Sequence, residues 1–137
     1  MRAFFYGTLI DADVRATVLG SVVRHRPVEP AVLLGYRRLT MRGCTYPVIV
    51  RDARGAVAGV LMRGLRRADF AKLLDYETDE YRAIDAAVLT GSGKRILAKV
   101  FVASARALPS PRPWNATDWQ RRFKRNFLRR LRAGAGV

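Results

Sequence analysis

Hydrophobic and polar positions alternate along this chain with two different periods, and the resulting blocks mix many strands with few helices. Residues 2–9, "RAFFYGTL", read as a buried strand, because aromatic and β-branched side chains suit a pleated surface, and Gly7 interrupts the run where a turn begins. The following "DADVRATVLG" opens on acids, carries Val14, Val18 and Leu19 at helical spacing, and reaches Gly20 where a helix stops. Segments 30–41, 46–52, 55–65, 81–91 and 94–104 read as strands, punctuated by turn-formers such as "DARG" and "GSGK". The last two make a predicted hairpin, with Val88 leading into Gly91-Ser92-Gly93 and Ile96 leading out.

Helical periodicity returns twice. In "RRADFAKLLDYE" (66–77), Phe70, Leu73 and Leu74 stand at i, i+3 and i+4, and the next position on that face, i+7, is Glu77. A carboxylate occupies the place of a hydrophobe. A Pro-rich connector (107–114) then precedes a basic segment, 115–133, predicted to pack on the domain as one helix over about 116–132. Trp119, Phe123, Phe127 and Leu131 form its apolar stripe. Asn115 or Thr117 can cap it, and Thr117 with Gln120 fits a capping box. The tail "AGAGV" is expected to fray, and no internal repeat is present.

Composition narrows the class. A chain of 137 residues, half of them apolar, suits one domain over 1–137 with a substantial core. No apolar run approaches the roughly 20 residues of a bilayer span, and residues 1–20 lack the features of a secretory signal. A soluble, cytoplasmic protein with no membrane association is expected. Cys44 is the lone cysteine and His25 the lone histidine, so neither an intrachain disulfide nor a cysteine-built metal cage is available, and no metal or cofactor is expected. A Cys44–His25 nucleophile pair lacks any flanking motif, and a small buried hydrophobe is the plainer reading of the cysteine.

The formal charge is +15, from 26 Lys and Arg against 11 Asp and Glu. From Asn115 onward there are seven basic residues and one acid. Such a balance draws anionic partners, and weak polyanion binding through the Arg-rich C-terminal helix is expected. Its four large apolar residues are needed for docking, so no aromatic is left to stack on bases. A solvated basic face accounts for the arginines.

Two features carry chemistry. Gly7 either makes an ordinary tight turn or lets backbone amides approach an anion. Glu77 either lies at the core edge, where desolvation raises its pKa toward a useful range, or ends its helix in water, paired with an arginine such as Arg82. Asp75, off the apolar stripe, and the loop residues Asp79 and Glu80 are lesser candidates.

"FFYGTL", Gly35-Tyr36, Tyr46-Pro47, "GVLMRGL" and above all "LLDYETDEYR" at 73–82 resemble the γ-glutamylcyclotransferase-like family, which also includes plant avirulence-induced proteins and γ-glutamylamine cyclotransferases. The likeness runs from about residue 3 to 102, more loosely into the C-terminal helix. It implies an α+β fold, a small mixed β-barrel with flanking helices. It also implies a cofactor-free enzyme that cyclises a small γ-glutamyl amine or amide to 5-oxoproline and releases the amine. By matching positions, the backbone of Tyr6, Gly7, Thr8 and Leu9 cradles the substrate carboxylate, Glu77 is the catalytic acid and base, and Tyr81 is the pocket tyrosine. Tyr46 and Pro47 are placed at the pocket mouth, with strand packing an equal account of them. Many relatives carry Gly after the glutamate, where this chain has Thr78. The oxyanion donors are open between backbone amides and the hydroxyls of Tyr81 or Tyr46. The alternative function is a non-catalytic basic module of the same fold, engaging nucleic acid or an acidic partner.

Overall fold

The computed structural model describes residues 1–134. Strand β1, Ala3–Phe5, shows at once how the sequence divides the interior: successive side chains of a strand face opposite ways, so Phe4 and Tyr6 point into one apolar cluster and Ala3 and Phe5 into another. The first cluster fills a barrel. Strands β2 (Val28–Met41), β3 (Pro47–Met62), β4 (Tyr81–Thr90) and β5 (Arg95–Ala103) join β1 in the order β3-β1-β5-β4-β2, and β2 pairs back onto β3 to close the ring. β1 runs parallel to β5 and the other pairings are antiparallel, which gives the expected mixed, α+β architecture.

The second cluster lies between the barrel and its helices α1 (Ala12–Leu19), α2 (Arg67–Glu77), α3 (Ala116–Arg122) and α4 (Lys124–Arg132). Leu73 of α2, Trp119 of α3 and Phe127 of α4 meet Phe5 and Phe101 there. α1 touches both α2 and α4, so the C-terminal segment is clasped against the start of the chain. Among the described residues, no helix is long and apolar enough to cross a membrane.

Several local expectations are corrected. β1 stops at Phe5, and Thr8–Ile10 form a 3-10 turn rather than the end of a strand. "DARG" does not separate two strands: β3 continues through it, with Asp52–Gly55 bulged opposite the single residue Gly35. Turn chemistry is still present, since Asp52 accepts from the Arg54 amide at 3.0 Å. Gly55 is required because a Cβ there would lie 2.2 Å from the Tyr36 carbonyl oxygen. The Pro-rich connector contributes strand β6, Pro109–Pro113, along the end of β2, an edge where proline's missing N–H is tolerated.

The C-terminal helix breaks at Phe123 into α3 and α4. A four-residue spacing drifts about 120° around a straight helix over three repeats, so the break lets both halves keep their apolar faces on the barrel. Asn115 is the cap, accepting from the Asp118 amide at 2.8 Å, while Gln120 reaches elsewhere. On α2, Leu73 is buried but Leu74 is 47% exposed, and Phe70 and Tyr76 complete the packed face instead. The 88–96 hairpin forms as expected, with Val88 opposite Ile96 and Gly93 at positive φ. Of the "AGAGV" tail, residues 135–137 lie outside the described residues.

Candidate active site

The turn after β1 is held from both sides by arginines. Arg38, on the Tyr36 face of β2, donates to the Tyr6 carbonyl at 2.8 Å and to those of Ala58 (3.0 Å) and Trp114 (3.1 Å). Arg15, 5% exposed, donates to the carbonyls of Leu9 (3.0 Å) and Ile10 (2.7 Å). A trans peptide points its C=O and N–H in opposite directions, so the grip on the Tyr6 oxygen turns the Gly7 N–H away from Arg38. In the 3-10 turn, Ile10 N bonds to Gly7 O and Asp11 N to Thr8 O, while the amides of Thr8 and Leu9 precede the first closed ring.

The residues of that turn border a small cavity of about 30 Å³, large enough for roughly two waters or the end of a polar ligand. Tyr6, Gly7, Thr8 and Leu9 line one side, Glu77 and Tyr81 the other, with Pro47 and Phe101 between. Gly7 has no room for a side chain, since a Cβ would sit 2.9 Å from Cγ of the Pro47 ring. The bulky residues before it therefore lock the strand into two cores, and the bare residue lets Pro47 close over the turn.

Glu77 ends α2 beside this cavity, and burial pushes its carboxyl up to about 8. No pairing with Arg82 forms among the described residues. The phenols of Tyr6, Tyr76 and Tyr81 are all raised, primarily by burial and further by the negative field of Glu77. Each phenol already gives its proton away or shares it: Tyr6 to the Phe101 carbonyl and Tyr81 to the Pro47 carbonyl, both at 2.5 Å, with Tyr76 and the Thr8 hydroxyl 2.7 Å apart. The residue after Glu77 is Thr78, at φ 61 and ψ −172. Side chains seldom adopt that conformation and glycine does so freely, which is the physical sense of the glycine that the family resemblance implies here.

A second chamber of about 100 Å³ adjoins the first and shares Thr8, Glu77 and Tyr81 with it. Tyr46 lies here rather than in the inner cavity, donating to Glu80 Oε1 at 2.9 Å. Glu80, a lesser candidate from its loop position, faces this chamber, whereas Asp79 pairs with Arg106 at 3.0 Å outside it. Tyr76 and Phe127 complete the wall and have no forerunner among the sequence candidates. Cys44 donates to the Arg42 carbonyl, and neither it nor His25 lines either chamber.

The C-terminal segment is bolted to the cradle. Asp11, 3% exposed, caps α1 through the amides of Asp13 and Val14, and its other oxygen accepts from Gln120 at 2.9 Å and Lys124 at 2.8 Å. Burial opposes its ionisation, but the bonds from Lys124 and Gln120 prevail and lower its pKa. Lys124 also bridges to Asp13 at 2.8 Å, and with Arg24 holds that carboxyl down at about 2.

The chain is thus a closed five-stranded mixed barrel of the α+β class, with a half-buried carboxyl, Glu77, across a small cavity from the turn after its first strand. The family described as "Gamma-glutamyl cyclotransferase, AIG2-like" matches residues 3–121, and the chain belongs to it. AIG2-like protein C of Arabidopsis thaliana is 28% identical over 127 residues, 91% of this chain and 72% of that protein. The solution structure of the Arabidopsis thaliana protein At5g39720.1 superposes with a TM-score of 0.70 at 26% identity, over 93% of this chain and 85% of that one. A yeast γ-glutamyl cyclotransferase specific to glutathione shares the fold, with a TM-score of 0.60 at 12% identity over 100% and 88% of the two chains.

Proposed function

We propose that this protein cyclises a γ-glutamyl amine or amide to 5-oxoproline and releases the amine. One observation carries the proposal: a carboxyl that burial raises to about 8 and a glycine-containing turn seventy residues away border the same cavity. The substrate's α-amine attacks its own γ-carbonyl carbon, forming the ring C–N bond as the original amide C–N bond breaks. Glu77 takes the proton from the attacking nitrogen and returns it to the leaving one, so no external reactant is consumed. A carboxyl with that pKa is usefully divided between both forms near neutral pH.

The amides of Gly7, Thr8 and Leu9 hold the α-carboxylate, and fixing one reactant against another within a molecule supplies effective molarities of about 10⁵ M or more. For the oxyanion, the phenols of Tyr81 and Tyr46 already donate to Pro47 and Glu80, which favours backbone amides. The test is incubation with γ-glutamyl amino acids and γ-glutamylamines, scored for 5-oxoproline. Consumption of one or more, with turnover lowered about 10²-fold or more in Glu77→Gln, is expected. Consumption of none, or wild-type turnover in Glu77→Gln, contradicts the proposal.

A further inference from the structure

The two chambers differ in a way that bears on the released amine. The inner one has the amides and suits the glutamyl end. The outer one shares Thr8, Glu77 and Tyr81 with it, so it is the adjoining space available to the amine half of a γ-glutamyl group bound at Glu77.

What lines that space is unusual for this chain. Cations make up 26 of its 137 residues, yet no Lys, Arg or His side chain lines either chamber. Instead Glu80 lines the outer chamber together with four aromatic residues, Tyr46, Tyr76, Tyr81 and Phe127. Glu80 is aimed rather than loose: Tyr46 donates to its Oε1 at 2.9 Å, and its backbone oxygen accepts from the Ser104 amide at 3.0 Å. Carboxylates are recognised by Arg and Lys, whereas ammonium groups are recognised by carboxylates and aromatic faces. An amine half bearing a carboxylate would meet Glu80 with no cation to offset it. An amine half bearing a second ammonium would meet a fixed acid inside an aromatic box.

Resting on the cyclisation reading, we propose that the outer chamber is the leaving-amine subsite and that Glu80 selects conjugates whose amine half carries a second positive charge and no carboxylate. Phe127 is the apolar wall of that subsite. It belongs to α4, Lys124–Arg132, beyond the residues 3–121 that the family matches.

Two measurements decide the matter separately from catalysis. First, calorimetric titration of wild type and Glu80→Gln with 1,4-diaminobutane, butylamine and 4-aminobutanoate should show the diamine binding wild type about tenfold tighter than butylamine, with 4-aminobutanoate weakest. Glu80→Gln should remove that tenfold advantage and leave butylamine within twofold. Equal affinities in wild type, or an undiminished diamine preference in Glu80→Gln, overturn the subsite. Second, kcat/KM for the γ-glutamyl conjugates of the same three amines should follow the same order, and Glu80→Gln should flatten it without lowering the neutral conjugate more than twofold. Turnover without that order overturns the subsite while cyclisation stands. Glu80-dependent diamine binding with no turnover of any conjugate sustains the subsite and overturns cyclisation.

Discussion

Arg125 and Phe127 stand two residues apart on α4, yet they face opposite solvents. Arg125, with Arg121, is exposed on the basic outer face, where water and salt screen each charge within about 10 Å. Phe127 faces the outer chamber, where Glu77 is desolvated enough to titrate at about 8. Fifteen units of net positive charge dominate the surface and are absent from the lining of the chambers. The contrast teaches that the count of charges describes how the molecule meets polyanions, while the proposed chemistry depends on a few positions partly withdrawn from bulk water.

The contrast is broken most severely at the cradle. Gly7→Val places side-chain atoms where Pro47 already stands, and is expected to lower kcat/KM for a γ-glutamyl conjugate by about 10²-fold or more while the far-UV circular dichroism stays native. An equally active variant removes the cradle from the account. Next comes the bolt between the basic segment and the site. Lys124→Met leaves the buried Asp11 with Gln120 alone, a loss of about 1–3 kcal/mol in urea unfolding. The Asp11 and Asp13 carboxyls are held below their ordinary pKa, so the stability they add is present above the unfolded value and is lost as pH falls through the folded one, near 2 for Asp13. Below that range wild type and Lys124→Met should converge.

Glu77 has the opposite sign. Its folded pKa is raised, so its contribution is fully present below the unfolded value of about 4.5 and is lost as pH rises through about 8. Glu77→Gln is therefore expected to match wild type in thermal scans near pH 4 and to melt about 15 °C higher near pH 8.5, the mark of an acid kept at some cost to stability. Equal melting at both values would mean that the carboxyl is not desolvated. The smallest effect on catalysis belongs to the outer face. Arg121→Ser with Arg125→Ser should change kcat/KM less than twofold, yet elute from heparin at lower salt, since each lost cation weakens polyanion binding electrostatically. A large loss of activity would join the two regions that the account keeps apart.

Much of this was legible before any coordinates, and the failures are physical. The aromatic strand and its glycine, the 88–96 hairpin and the acid on the face of α2 are local patterns, and each appears where its period puts it. Tyr6 to Leu9, Glu77 and Tyr81, which the family resemblance implies, line the same cavity. What local pattern does not carry is the partner across space. The bulge at Asp52–Gly55 looks like a turn because its residues are turn-formers, and only pairing with β2 makes it part of one strand. Arg38 stands two positions after Tyr36, on the same strand face, but nothing in the sequence says that three distant carbonyls converge on it. Phe127 was identified as core stripe, which it is, and the same ring also walls a chamber. Glu80 read as a loop acid because its partner, Tyr46, lies 34 residues away.

The central claim is that the carboxyl of Glu77 and the amides after the first strand share one desolvated hollow. Its most direct measurement is a carbon-13 NMR titration of the Glu77 side-chain carboxyl in the folded protein, with and without 5-oxoproline. The account predicts a midpoint near 8 in the free protein, together with 5-oxoproline-induced shifts at the Gly7, Thr8 and Leu9 amides. A midpoint near the ordinary 4.5, with those amides unmoved, would contradict it.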